Sequence, residues 1–301
     1  MIEQWAVVTL GAAALQCTRT ALQKRLRGQL STNGANLVRY IFGAPLAAVA
    51  FLIALQAGGA MPTPNAAFFL NALVGGIAQI VATSLLINAL SHNFTVGTAY
   101  SKTEALQAAI LSAIFVGEII TPLGWTAIFG GAIGVFLLSV PRWPANLAEA
   151  RSMFTGRGAI DGIASGFCFG VSAIFFREAT IDLTDTDRLT ASLATLATAT
   201  SLQLTLFLPY VLMREPGQVG RIFTAWRPAA LVGLLSVMGS AGWFYAFAIQ
   251  NAAYVRALGQ AELVFTFLTA VLFFRERLGW RETLGVMVIV ASVIAILLVR
   301  A

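Results

Sequence analysis

Long apolar runs separated by short polar connections occupy almost the whole chain. Each run is about 20 residues long, which is the length of helix that crosses the hydrocarbon core of a bilayer. Ten runs are predicted to be helices: Trp5–Leu22, Ala35–Leu55, Phe68–Leu90, Thr95–Val116, Leu123–Val140, Gly158–Phe176, Leu193–Met213, Ala229–Ile249, Val255–Phe274 and Trp280–Val299. A more polar segment, 141–157, lies between the fifth and sixth runs. It is interpreted as a linker loop between two five-helix halves, 4–140 and 158–300.

The composition supports a chain that is covered by lipid. Of the 301 residues, 58% are hydrophobic and only 11% are charged, and the mean hydropathy is +0.82. An ordinary soluble domain has about 25% charged residues, so too few charges are present here for a solvated surface. Only helices and closed barrels satisfy their backbone groups in lipid. Barrel strands alternate in polarity over about ten residues, whereas these runs are apolar throughout. The predicted fold class is therefore an all-α polytopic membrane protein.

The second half of the chain repeats part of the first. The fourth and ninth runs align without gaps, and five residues recur: Asn93, Ala99, Glu104, Phe115 and Glu118 correspond to Asn251, Ala257, Glu262, Phe273 and Glu276. The first and sixth runs also match, at Gly11 with Gly162 and at Cys17 with Cys168. Because five is an odd number of crossings, the second half is predicted to lie upside down relative to the first.

The distribution of charge agrees with this inversion. The basic clusters follow the first, fifth, seventh and ninth runs: Lys24, Arg25 and Arg27; Arg142, Arg151 and Arg157; Arg214, Arg221 and Arg227; Arg275, Arg277 and Arg281. The loop after the sixth run is instead acidic, with Asp182, Asp185 and Asp187. In an inverted repeat all the basic clusters lie on one face, which the positive-inside rule makes cytoplasmic. Both termini are then expected outside, although many relatives of such proteins have cytoplasmic termini.

Two glutamates inside apolar runs are the first candidates for function. Glu104 and Glu262 occupy equivalent places near the middle of their predicted spans, where an ionisable group is costly and needs a partner. One interpretation is a pair of carboxylates beside a central cavity that titrate as substrate moves. The other is a structural pair that joins helices through hydrogen bonds or ion pairs. Lys102, its equivalent Gln260, and Tyr100 are polar neighbours that contact either substrate or an adjacent helix.

Further candidates lie in other runs. Arg39, near the start of the second run, either contacts substrate or extends its charge toward the membrane surface. Arg19 and Arg256 also lie near span ends, and extension toward the surface is the favoured interpretation of all three. Trp243 and Tyr245 in the eighth run either stack on a substrate or serve packing and interface anchoring. Glu118 and Glu276 end their helices and are interpreted as gate or loop contacts.

Small residues at helical spacing predict close helix packing. Gly162, Gly166 and Gly170 form one such stripe, and Gly130 with Gly134 forms another. Packing within one chain is the first interpretation, and a homodimer seam is the alternative. Since each chain carries both halves, a working monomer is expected.

The sequence contains few of the residue patterns that enzymes use for catalysis. The single histidine, His92, excludes a site with several histidine ligands, and no HExxH, GxSxG or GxxxxGK[ST] pattern occurs. Without a nucleotide-binding motif, transport has to run on a gradient or downhill. The net charge of +6 does not form a basic stripe interleaved with aromatic residues, so no nucleic-acid partner is expected. No cofactor or metal is predicted.

These motifs resemble the EamA-type permeases of the drug/metabolite transporter superfamily. The resemblance rests on four features: Glu104 followed by Gly117-Glu118, Glu262 followed by Arg275-Glu276-Arg277-Leu278, glycines in the final helix of each half (Gly130, Gly131, Gly134 and Gly285), and Arg39-Tyr40 in the second run. Two departures are Ala105 and Leu263, where the family usually has proline after the glutamate. The second half also has no arginine at the position that matches Arg39.

The resemblance implies two EamA repeats in a bacterial inner-membrane protein. Such a protein exports amino acids or other small metabolites, and we expect the two repeats to rock about a central site in alternating access. The alternative is an integral membrane protein that does not transport, such as a lipid-modifying enzyme or an assembly factor. Loss of efflux in a knockout favours the first, and an altered lipid profile with intact efflux favours the second.

Overall fold

The structure is a computed structural model that describes residues 3–26, 28–92, 97, 100–139, 146, 155–272 and 279–298. Regular structure in these residues is helical, and no strand occurs among them. The helices are α1 (Gln4–Leu26), α2 (Thr32–Gln56), α3 (Ala66–His92), α4 (Glu104–Leu111, continued by a π-helical turn at Ser112–Val116), α5 (Pro122–Ser139), α6 (Arg157–Asp182), α7 (Arg188–Arg214), α8 (Gln218–Thr224), α9 (Trp226–Ile249), α10 (Ala252–Leu258), α11 (Ala261–Leu272) and α12 (Trp280–Leu298). The predicted all-α class is confirmed.

Six helices in the described ranges are long and apolar enough to cross a membrane. They are α2, α3 over Ala66–Ala89, α6, α7, α9 and α12. The remaining long helix, α1, contains more polar residues, and α4 and α5 are shorter apolar segments. Large apolar side chains such as Phe115, 77% exposed, face outward. Lipid in place of water accounts for such a surface, so the chain is an integral multi-pass membrane protein.

The chain divides into two compact units, and each takes segments from both halves of the sequence. Unit 1 consists of residues 1–6, 81–171 and 251–301, and unit 2 consists of 7–80 and 172–250. Unit 1 therefore contains α4, α5, α10, α11 and α12, while unit 2 contains α2, α7, α8 and α9.

Unit 2 is built around α2, which packs against α7 and α9. Its core combines buried apolar side chains of all three helices, including Leu37, Phe207 and Val232. The rings of Tyr40 and Phe207 meet edge to face, with their centroids 6.1 Å apart. Such contacts stabilise the helix pairs even where lipid covers their outer faces, because packing rather than exclusion of water holds membrane helices together.

Hydrogen bonds join different pairs of connections at the two ends of unit 2. At the N-terminal end of α2, Ser31 and Asn33 donate to the carboxylate of Glu215, which follows α7; the Asn33 bond is 2.7 Å long. Beyond the C-terminal end of α2, the backbone N–H of Thr63 donates to Asp185, which precedes α7, over 2.8 Å. The connections after α1 and after α6 therefore lie at opposite ends of this unit, about 37 Å apart along α2.

Glycines allow helices of unit 1 to approach closely. A methyl group added at Gly134 of α5 would lie 2.9 Å from the carbonyl oxygen of Gly285 in α12, so the two backbones touch at these residues. The stripe on α6 works in the same way: Gly162, Gly166 and Gly170 contact residues between Gly97 and Ala108. These glycines pack within one chain, as the first interpretation of the stripe predicted.

Candidate functional site

Two of the predicted spans, the fourth and the ninth, are interrupted in unit 1 at equivalent positions. The predicted fourth run turns at Lys102 and Thr103 before α4 begins, and the predicted ninth run turns at Gly259 and Gln260 between α10 and α11. Both interruptions lie directly before the repeated glutamates. The sequence pattern predicted continuous helices here, and the structure differs because hydrophobic periodicity persists across a short turn.

Local chemistry accounts for both turns. The hydroxyl of Thr103 donates to the carbonyl of Tyr100 over 2.5 Å. Such a bond offers the backbone an alternative to the regular helical ladder. Gly259 is a poor helix former. Its N–H still makes the helical bond to the carbonyl of Val255, but the next N–H groups bond only three residues back: Gln260 to Ala257, Glu262 to Gly259 and Leu263 to Gln260.

Charged side chains at these turns form two ion pairs that cross between the segments. Nζ of Lys102 lies 2.9 Å from Oε2 of Glu262. Nη1 of Arg256 lies 3.8 Å from Oε1 of Glu104. Each repeated glutamate is thus paired with a cation from the other half of the sequence. All four side chains are largely buried, at 9–16% exposed.

The helix ends favour this arrangement of charges. Glu104 and Glu262 lie in the first turns of α4 and α11, and Arg256 lies in the last turn of α10. The N-terminus of a helix carries a partial positive charge and the C-terminus a partial negative one, so each of these ions faces the end that stabilises it. The interruptions therefore make four buried charges tolerable in an apolar unit.

Close packing holds the first interruption in place. Gly166 of α6 lies against it: an added methyl group would be 3.0 Å from the Ser101 carbonyl and 3.2 Å from the Glu104 N–H. The Gln107 side chain donates to Thr103 over 2.8 Å and to the carbonyl of Ile163 over 3.3 Å. Tyr100, one of the predicted site residues, is 4% exposed.

The equivalent of Lys102 has a different environment. Gln260 is 3% exposed and packs against Gly131 of α5. Its side-chain amide makes no hydrogen bond to any residue that the structure describes. The two repeats therefore differ in charge at this matched position: Lys102 is a cation and Gln260 is neutral. Glu104 is paired with Arg256 and not with the equivalent of Lys102.

Three other predicted site residues, Arg39, Trp243 and Tyr245, belong to unit 2. Because α2 begins at Thr32, Arg39 lies about 10 Å inside its helix and lines a narrow cavity. Trp243 is buried and stacks on Phe247, with centroids 6.3 Å apart, and Tyr245 is half-buried. Neither aromatic residue lines that cavity.

Of the two predicted glutamates at helix ends, Glu118 lies in the described residues. The N–H of Glu118 donates to the carbonyl of Ser112 over 3.2 Å, which closes the π-helical turn at the end of α4. Gly117 between them adopts a left-handed conformation with φ of 72°. Glu276 lies outside the described residues.

Arg256 is the site residue that sequence reasoning missed, since it was interpreted as a residue near a span end whose charge reaches the membrane surface. Its burial, 8% exposed, and its contact with Glu104 identify it as an internal ion-pair partner. A signal was present in the sequence, because a lone cation inside an apolar run requires a counter-charge. No group of three or more histidine, cysteine, aspartate or glutamate residues in the described ranges could hold a metal.

Comparison with known proteins supports the resemblance of this multi-pass membrane protein to a transporter family. Residues 156–298 match the model of the EamA-like transporter family. The second half of the chain is therefore similar to this family, and the resemblance to an EamA-type permease is confirmed. The family is one of membrane transporters, which supports transport rather than catalysis.

A similarity of fold extends over the whole chain. The crystal structure of a protein aligns with 98% of this chain and 96% of its own, with a TM-score of 0.72 and 14% sequence identity. At that identity the likeness concerns the fold alone. No curated protein matches the sequence significantly.

Proposed function

We propose that this chain is a secondary transporter of a bacterial inner membrane that exports amino acids or other small metabolites by alternating access. The observation that carries the proposal is the pair of crossed ion pairs at matched helix interruptions. Interrupted membrane helices whose ends face polar groups are typical of transporters with inverted repeats, where they form the substrate or ion site.

An inverted repeat of ten spans is part of this proposal. In unit 2 the connection after α1 bonds to the one after α7, and the connection after α2 bonds to the one after α6. Two copies of opposite orientation place the connections after α1 and α7 on one side and those after α2 and α6 on the other. The hydrogen bonds agree with that arrangement. The tetrapeptide Ala-Leu-Val-Gly also recurs at 72–75 and 230–233, with the same offset of 158 residues as Glu104 and Glu262.

The ion pairs supply a mechanism for coupling the two halves of the sequence. Lys102 and Glu104 come from the first half, whereas Arg256 and Glu262 come from the second. A proton or a charged substrate that neutralises one carboxylate releases its cation, and the interrupted segments are then free to move apart. Because both pairs lie at turns, this movement needs few helical hydrogen bonds to break.

Transport assays on Glu104→Gln and Glu262→Gln test the role of the carboxylates. Cells that express the chain are screened for resistance to toxic amino-acid analogues, and efflux of an analogue that gives resistance is then measured. We expect both variants to lose most efflux when it is normalised to the amount of folded protein in the membrane. The matched control is Glu282→Gln. Among the described residues Glu282 accepts a hydrogen bond from the nearby N–H of Gly279, so the same chemical change there should leave efflux intact. Wild-type efflux by both Glu104→Gln and Glu262→Gln would refute the proposal.

Cysteine labelling tests the inversion. In a variant without Cys17 and Cys168, single cysteines replace the exposed residues Gly28, after α1, and Thr184, after α6. An impermeant maleimide is expected to reach these two positions from opposite sides of the membrane. Labelling of both from the same side would contradict the inverted repeat.

A further inference from the structure

A narrow cavity inside unit 2 has the properties of an anion site. It lies between α2, α3, α7 and α9, and its volume of about 10 Å³ gives room for about one water molecule. The lining residues are Arg39, Tyr40, Gln79, Leu196, Ala199, Thr200, Gln203, Ser236, Val237, Ser240 and Phe244.

The charge on the cavity lining is positive. Among the residues that the structure describes, Arg39 is the single charged residue of the lining, and no acidic side chain contributes to it. Within the described residues Arg39 forms no ion pair, and its Nε is buried without a hydrogen-bond acceptor. Its guanidinium lies 5.7 Å from the centre of the Tyr40 ring. Arg39 as a whole is half-buried among apolar helices, where a guanidinium is stabilised by a counter-charge that these residues do not supply.

Two hydroxyl groups on different walls also lack partners. Tyr40 of α2 is 1% exposed and Ser236 of α9 is 5% exposed. Neither Oη of Tyr40 nor Oγ of Ser236 makes a hydrogen bond to any described residue. A buried polar group without a partner costs about 1–3 kcal/mol, and in native structures such groups usually meet a ligand or water.

We infer that this cavity binds the anionic group, a carboxylate or a phosphate, of a small solute. Arg39 supplies the charge, and the hydroxyls of Tyr40 and Ser236 donate hydrogen bonds to the anion. Arginine suits this role because its planar guanidinium binds two oxygens of a carboxylate or phosphate at once. The inference rests on the proposed function only in taking this solute to be the transported one.

The cavity is contracted in this conformation. Nε2 of Gln203 donates to Oε1 of Gln79 over 2.7 Å and to the carbonyl of Gly76 over 3.2 Å, and both glutamines line the cavity. A space that admits about one water is too small for a carboxylate. Binding therefore requires side chains of the lining to move apart, and the Gln79–Gln203 bond is one contact that such a movement would break.

The test measures binding without transport. The full chain is purified in a neutral detergent, and its thermal unfolding is followed by tryptophan fluorescence with acetate, citrate or inorganic phosphate, against sodium chloride of equal ionic strength. We expect at least one of these anions to raise the unfolding temperature with saturation, and ethylammonium chloride to have no such effect. Saturation with none of the three anions would overturn the inference.

Variants identify the site of binding. Arg39→Gln should raise the concentration for half-maximal stabilisation roughly tenfold or more, as expected when a charge-assisted hydrogen bond is lost. The matched control is Arg214→Gln, which makes the same change at an exposed residue outside the cavity and should leave the response intact. If Arg39→Gln fails to fold, Tyr40→Phe and Ser236→Ala remove only unpartnered hydroxyls and should weaken the response severalfold. An unchanged response in both would overturn the assignment.

Two further arms separate the possible outcomes. Phosphatidylglycerol added to the micelles tests a lipid headgroup as the anion, and Arg39-dependent stabilisation by the lipid but not by free anions would overturn the assignment to a solute. Glu104→Gln should retain the anion response while losing efflux. Anion stabilisation of a chain that transports nothing would therefore refute the proposed function alone, whereas efflux without any anion response would refute this inference alone.

Discussion

Neutralising Lys102 and Glu262, singly and together, measures how strongly the two interrupted segments are joined. The chosen changes are Lys102→Met and Glu262→Gln, which keep most of the side-chain volume. At 2.9 Å the gross attraction between the two charges is about 6 kcal/mol for an effective dielectric constant of about 20. Desolvation of both groups offsets much of this attraction, so the net contribution of the pair is smaller.

The single variants should nevertheless be strongly destabilised. Each leaves a charge that is buried and without its nearest partner, which costs about 3–5 kcal/mol. The double variant leaves neither charge in place. Its loss of unfolding free energy should therefore be about 2–3 kcal/mol smaller than the sum of the two single losses. The pair of Arg256 with Glu104, at 3.8 Å, should show a weaker coupling when the same cycle is applied to it.

The assay is reversible unfolding in mixed micelles titrated with sodium dodecyl sulphate. Tryptophan fluorescence reports the unfolded fraction of all four members of the cycle at one pH and ionic strength. Lys102→Met combined with Glu282→Gln is the control, since Glu282 bonds to Gly279 and the losses should add. If the losses of unfolding free energy for Lys102→Met and Glu262→Gln also add, the ion pair does not join the segments and the reasoning is refuted.

Three other predictions follow from close contacts and from pH. Gly134→Ala should cost about 1–3 kcal/mol in the same unfolding assay because its methyl group meets the backbone of α12. Gly130→Ala, whose methyl group meets no described atom within 4 Å, should not destabilise the chain. Gly166→Ala should reduce efflux more than expression, because its methyl group crowds the turn before Glu104. Hydrogen bonds from the side chain and backbone of Thr63 hold the pKa of Asp185 below its usual 3.8, so their stabilisation is present above that pH and is lost as the pH falls through the lowered pKa. The difference in unfolding temperature between wild type and Thr63→Val should therefore vanish in acid, and a difference that persists at low pH would contradict this cause.

Much of the architecture was predictable because lipid leaves a chain few choices. Apolar runs of about 20 residues with few charges must be helices, and a rare ion in such a run must find a partner. The need of Glu104 and Glu262 for charged partners was therefore visible in the sequence, as was the close packing of Gly162, Gly166 and Gly170. Even the equivalence of the two interruptions was implicit in the spacing of the repeated residues.

The partners of the charges were decided only by the tertiary structure. Lys102 is two residues from Glu104 in sequence but pairs with Glu262, and Arg256, interpreted as a span-end residue, balances Glu104. Hydrophobic periodicity records which face of a helix is apolar, but it does not record a turn of two residues or which helix packs beside another. The same holds for Arg39, whose cavity is formed by four helices far apart in sequence. Local sequence determines where a helix forms and what charge it carries, whereas the counter-charge depends on packing between segments more than 150 residues apart.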